Sequence, residues 1–128
     1  MSFKEAELLR KRAEAFLKNA LYLINENEAD LAMFNFEQYC QLILKYKLLI
    51  IKGTYPRTHS LRQLIKELSE INPKIAILIE DIKNLHYIAR LEESYISSRY
   101  LPFEYTIEEV KDIGKFVIEV FKPLVNSI

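Results

Sequence analysis

Two glycines, Gly53 and Gly114, are all that this chain of 128 residues contains, and that scarcity decides most of what it can fold into. Tight β-hairpins draw on residues at positive φ, a conformation that glycine alone adopts freely. An all-β fold, which needs many such turns, is excluded. The four prolines and the capping residues instead divide the chain into long segments whose apolar residues recur at three and four positions rather than alternate. Helices dominate.

The helix starts are marked by capping chemistry, in which a Ser, Thr or Asn side chain satisfies backbone N–H groups that the first turn leaves unpaired. Ser2 with Glu5, Ser60 with Gln63 and Thr106 with Glu109 read as capping boxes, and Asn72-Pro73 as an N-cap followed by proline at the first helical position. The first helix is predicted over about Phe3 to Asn25, with Leu9, Ala13, Phe16, Ala20 and Leu23 or Ile24 inward, and Asn27 or Asp30 capping the next. The second runs from about Glu28 to Lys52 and ends at Gly53; Leu31, Phe34, Tyr39, Leu42, Ile43, Tyr46, Leu49 and Ile50 make it apolar over much of its circumference, the pattern of a central helix. A short helix follows to about Glu70. The fourth helical stretch continues to Ser97, either unbroken or with a joint near Lys83-Asn84, and the last runs to roughly Lys122. The expectation is an all-α fold: an up-and-down antiparallel four-helix bundle with one additional short helix, forming a single domain over residues 1–128.

Eighteen Lys and Arg residues balance eighteen Asp and Glu residues, which excludes a polycation that coats nucleic acid or anionic lipid. The longest apolar stretch, Leu42 to Ile51, is interrupted by Lys45 and Lys47 and is too short to cross a bilayer, so no membrane association is expected. The single cysteine, Cys40, permits no intramolecular disulfide. With an N-terminus unlike a signal peptide, the expected location is the cytoplasm.

The neutral total hides a block. Between Glu37 and Glu67 there is no acid, yet Lys45, Lys47, Lys52, Arg57, Arg62 and Lys66 lie there with His59. Lys45, Lys47 and Lys52 can offset the dipole at the end of the second helix, whereas Arg57, His59, Arg62 and the start of the third helix make a phosphate-site candidate. A second signal is Tyr95-Ile96-Ser97-Ser98-Arg99-Tyr100, where Tyr and Arg can stack on a base and pair with phosphate. The third is His86 with Arg90 four residues on and Glu93 beyond, readable as a polar helix face or as a base beside a phosphate-binding Arg. Two histidines without metal-ligand spacing argue against a zinc site. No metal or cofactor is expected.

Three of these pieces together resemble the HEPN family, the helical domain of higher eukaryotes and prokaryotes that binds nucleotides. Glu37-Gln38-Tyr39-Cys40-Gln41-Leu42-Ile43-Leu44-Lys45 is similar to its QAxExxLK helix, Thr58-His59-Ser60-Leu61 with Leu64-Ile65 to its THDLxxLL segment, and Tyr95 through Arg99-Tyr100 with Pro102 to its YxxxRYP ending. The sequence departs from these patterns at Gln41, where the family has Glu, at Tyr39, where it has a small residue, and at the extra Leu101. The resemblance implies a helical bundle, frequently a homodimer, often encoded beside a minimal nucleotidyltransferase in two-component, toxin-antitoxin-like systems, and it carries candidate binding roles to Gln38, Lys45, His59, Arg99 and Tyr100. Many members are metal-independent ribonucleases with an R-x4-6-H motif; here Arg90 is followed five residues on by Tyr95, and no histidine follows Arg99.

The leading expectation is therefore a module that binds a nucleotide or RNA phosphate through Gln38, Lys45, Arg57, His59, Arg99 and Tyr100, leaning away from an enzyme. The alternative is a metal-independent endoribonuclease using Arg99 or Arg90 with His59 or His86. A helical protein-interaction module without ligand is the third.

Overall fold

The computed structural model describes residues 3–102 and 104–128, and every regular element among them is helical. The chain runs through α1 (Phe3–Asn25), α2 (Ala29–Lys52), α3 (Leu61–Ser69), a 3-10 turn (Pro73–Ala76), α4 (Ile77–Glu80), α5 (Ile82–Tyr100) and α6 (Ile107–Phe116). A π-helical segment (Val117–Phe121) then leads into α7 (Lys122–Asn126). No helix among the described residues is long and apolar enough to cross a membrane.

The first capping box falls on Ser2, outside the described residues. Ala6, Ala13 and Ala20 are buried at seven-residue intervals along α1 with Leu17 beside them, and small side chains in one row let α2 approach closely. Phe16, Leu23 and Ile24 pack at the margin of the core. Asn27 does not cap α2. It takes the left-handed conformation at φ 58 that closes the α1–α2 turn, a geometry asparagine tolerates, while the Asp30 carboxylate accepts the Tyr105 N–H at 2.8 Å.

As its composition predicts, α2 is the hub, packing on α1, α3, α5 and α6. Met33, Phe36, Tyr39, Cys40, Leu44 and Leu48 are fully buried in it, whereas Leu31, Ile50 and Ile51 are exposed. Gly53 ends it at φ 83, its N–H bonded to the Leu49 carbonyl at 2.9 Å.

The fourth stretch is broken, and the joint lies at Asp81 rather than near Lys83-Asn84. Asp81 is extended (φ −76, ψ 123), and its carboxylate accepts the N–H groups of Lys83 and Asn84, both at 3.0 Å. It is an N-cap, and α5 starts there. Ser60 and Thr106 cap α3 and α6 as expected, accepting the N–H groups of Gln63 and Glu109. Past α6, Pro123 has no N–H to continue an α-helical ladder, and the π turn ahead of it carries the helical path past that gap.

Gly114 shows how tightly α6 seats on α2. A Cβ placed there would lie 2.8 Å from the tip of the Phe36 ring, and Phe36 is fully buried. Alanine ordinarily favours a helix over glycine by about 1 kcal/mol, yet Gly114→Ala is expected to destabilise the protein by about 1–3 kcal/mol through overpacking. Urea denaturation reads the sign directly.

Candidate functional site

Glu37, Gln41 and Lys45 stand four residues apart and so share one face of α2. Glu37 has no exposed surface. Its Oε1 accepts the Gln38 Nε2–H at 2.7 Å and its Oε2 accepts the Gln41 Nε2–H at 2.8 Å. Gln41 in turn accepts the Lys45 ammonium at 3.0 Å through Oε1. The cation thus meets the carboxylate only through an amide relay.

Burial pushes the Glu37 carboxyl up to about 7, against the two amide donors and the charges of Lys45 and Arg99, which favour its ionised form. Burial also lowers the Lys45 ammonium from its ordinary value, with Glu37 opposing that shift. Cys40 is fully buried beside them, its thiol held well up by desolvation, and so is not a nucleophile.

Further candidates stand at the end of α5 and in the loop before α3. The Arg99 guanidinium donates through Nε and Nη2 to the Tyr95 carbonyl at 2.9 and 2.6 Å. It lies 4.8 Å from the Phe34 ring centroid, 4.5 Å from that of Tyr95 and 4.9 Å from that of Tyr100. His59 stacks on Tyr95 with centroids 4.2 Å apart, and its Nε2 lies 3.2 Å from the Tyr95 hydroxyl. On the α2 side, the Lys45 ammonium lies 5.6 Å from the Tyr55 ring centroid. Lys45 and Arg99 thus both act on one buried carboxyl, Lys45 with the Tyr55 ring near its ammonium and Arg99 with three rings about its guanidinium, one of them stacked on His59.

This brings together Gln38, Lys45, His59, Arg99 and Tyr100. Arg57 lines a surface depression with Glu5, Leu49, Gly53, Thr54 and Tyr55, the last being the ring near Lys45. The start of α3 is not an anion site, because the chain supplies its own anion. Glu92 accepts the Ser60 hydroxyl at 2.9 Å, the Arg62 N–H at 3.4 Å and the Arg62 Nε–H at 2.6 Å. Within the basic block, Lys52 pairs with Glu67 at 3.0 Å and Lys47 donates to the Ile128 carbonyl at 3.2 Å. The neighbours of these three cations are structural.

His86 and Arg90 lie elsewhere, in a cleft between α5 and α6 lined also by Lys83, Tyr87, Glu109 and Asp112. Arg90 makes a two-toothed bond to Glu109 at 2.6 and 3.0 Å, reaches Glu93 at 2.6 Å and stacks over Tyr105 at 4.6 Å. It fastens α6 to α5. No cluster of His, Cys, Asp or Glu that could hold a metal ion occurs among the described residues.

Sequence reasoning missed Glu37 and Gln41 as site residues. The available signal was a Glu, Gln and Lys at four-residue spacing inside a helix otherwise apolar nearly all round.

Every regular element among the described residues is helical, and the sequence motifs lie on the second helix, in the loop before α3 and at the end of α5. The HEPN domain family model matches residues 6–128, and the chain belongs to the HEPN family. Comparisons with curated proteins and with solved structures returned no match.

Proposed function

We propose that this HEPN protein binds a nucleotide or RNA phosphate, with Lys45 and Arg99 holding the phosphate, Tyr100 offering a ring face and His59 donating a hydrogen bond. The single observation that carries this reading is the meeting of Arg99, Tyr95 and His59 on one ring stack, with Arg99 and Lys45 both acting on the same buried carboxyl. A guanidinium and an ammonium suit phosphate oxygens, and the exposed Tyr100 ring suits a base. We read the fold as an up-and-down antiparallel four-helix bundle of α1, α2, α5 and α6 with α3 as the additional short helix. The module works in the cytoplasm as a homodimer beside a minimal nucleotidyltransferase in a toxin-antitoxin-like pair. Exposed Ile96, Tyr100 and Leu101 next to Arg99 support an interface there.

Calorimetry with ATP, GTP and a short RNA tests the reading. Wild type is expected to bind at least one of them, with loss of the heat in Arg99→Ala. No heat in any titration sinks it and leaves the interaction module. Gel analysis of the same RNA samples, kept in chelator, addresses the ribonuclease reading, which the shared contact of His59 and Arg99 with Tyr95 favours. Cleavage that disappears in His59→Ala would replace binding by catalysis.

A further inference from the structure

Glu37 occupies a position that a phosphate site has little use for: a fully buried carboxylate acted on by the two cations that an anion would need. Neither cation touches it. Both of its oxygens are held by neutral amides, and Lys45 reaches it only through Gln41. The charge of Glu37 is therefore offset at a distance by Lys45 from its own helix and by Arg99 from α5.

The other ionisable groups near α2 are engaged elsewhere. Glu14 of α1 acts on Tyr39, Glu67 of α3 pairs with Lys52, and Glu109 of α6 pairs with Arg90. Cys40, beside Glu37 on α2, is held protonated by burial. His59 is the one imidazole of the site.

An anion seated between Lys45 and Arg99 sets a negative charge against both cations and leaves the buried carboxylate uncompensated. We infer that the site takes up its phosphate together with one proton, which Glu37 receives from solvent. Resting on the phosphate reading above, this assigns Glu37 as a positioning residue that never touches the ligand. The relay gives the coupling a path. A proton on Oε2 turns that oxygen into a donor, so Gln41 rotates its amide to offer Oε1 to the carboxyl. That rotation takes Oε1 away from Lys45 and frees the ammonium for the phosphate.

The test uses 3′,5′-cyclic AMP and tetraadenylate, phosphodiesters that carry no titrating phosphate near neutral pH. Calorimetry at about pH 8 in Tris and in HEPES separates binding heat from buffer ionisation and so counts protons. Wild type is expected to take up close to one proton per phosphodiester and to lose affinity by up to about tenfold per pH unit above neutrality. Glu37→Gln, uncharged throughout, is expected to bind with no uptake, with a flat pH profile and more tightly than wild type at high pH. His59→Gln is expected to keep the uptake. Binding without uptake in wild type, or uptake that follows His59 instead of Glu37, overturns the coupling and leaves phosphate binding standing. Absence of binding by either phosphodiester at about pH 6, where the proton is already in place, overturns phosphodiester binding and this coupling together. Should Glu37→Gln fail to fold, the Glu37 carboxyl 13C resonance in wild type reads the same event: its midpoint is expected to move to higher pH when tetraadenylate is added, and an unmoved midpoint overturns the coupling.

Discussion

Glu37→Gln is expected to stabilise the protein by about 2–3 kcal/mol at pH 8 and to change little near pH 5. Few substitutions of a fully buried polar residue would act in this direction. The Glu37 carboxyl moves from an ordinary 4.5 to about 7 in the folded chain, with burial the largest cause. Its raised value means that the folded state binds the proton more tightly than the unfolded state. Stability from this group is complete below about pH 4.5, declines as pH rises through the folded value, and is fully lost above it. A shift of this size corresponds to about 3 kcal/mol. Glutamine has no charge to desolvate and so escapes the loss. Against that gain stands the exchange of one carboxylate oxygen for an amide NH2 opposite Gln38 or Gln41, a mismatch of about 1 kcal/mol unless the facing amide turns. Chemical denaturation of both proteins at the two pH values gives the difference. Equal stabilities at pH 8 would show that the carboxylate is solvated or paired, contrary to its burial.

The helix boundaries were legible where a short side chain caps a helix locally. Ser60, Asn72 and Thr106 each accept an N–H two or three residues on, so the signal and the structure occupy the same few residues. Asp81 uses the same chemistry but stands inside an apolar pattern that runs on without interruption, which shifted the expected joint by two residues. The HEPN motifs singled out Gln38, Lys45, His59, Arg99 and Tyr100 because each lies within a recognisable run. The basic block misled at Arg62 for the opposite reason. Its partner Glu92 lies thirty residues away on another helix, and no local pattern records that pairing. Glu37 was hidden by its place at the edge of the acid-free block, where it served as a boundary. The same apolar surroundings that make α2 central also bury any acid it carries, and this burial gives the residue its chemistry.

Arg99→Lys, which preserves charge, is expected to weaken binding of ATP or short RNA by about tenfold or more, approaching the loss in Arg99→Ala. The reason is geometry rather than charge. Three ring centroids lie within 4.9 Å of the guanidinium carbon, and Nε and Nη2 both donate to the Tyr95 carbonyl. A planar, weakly hydrated group can lie on rings and still present N–H donors to phosphate, whereas an ammonium is a compact, strongly hydrated point charge. The titrations belong at about pH 6. Removing the Arg99 charge would otherwise raise the Glu37 carboxyl further and add a loss of stability to the loss of affinity. If Lys45 and Arg99 hold the ligand as proposed, the salt dependence should be shallow, a slope of about −0.7 per phosphate neutralised on a single strand. If Arg99→Lys binds as wild type does and the slope is steep, the phosphate responds to diffuse positive charge. In that case the aromatic setting of Arg99 serves packing at the end of α5 and not recognition.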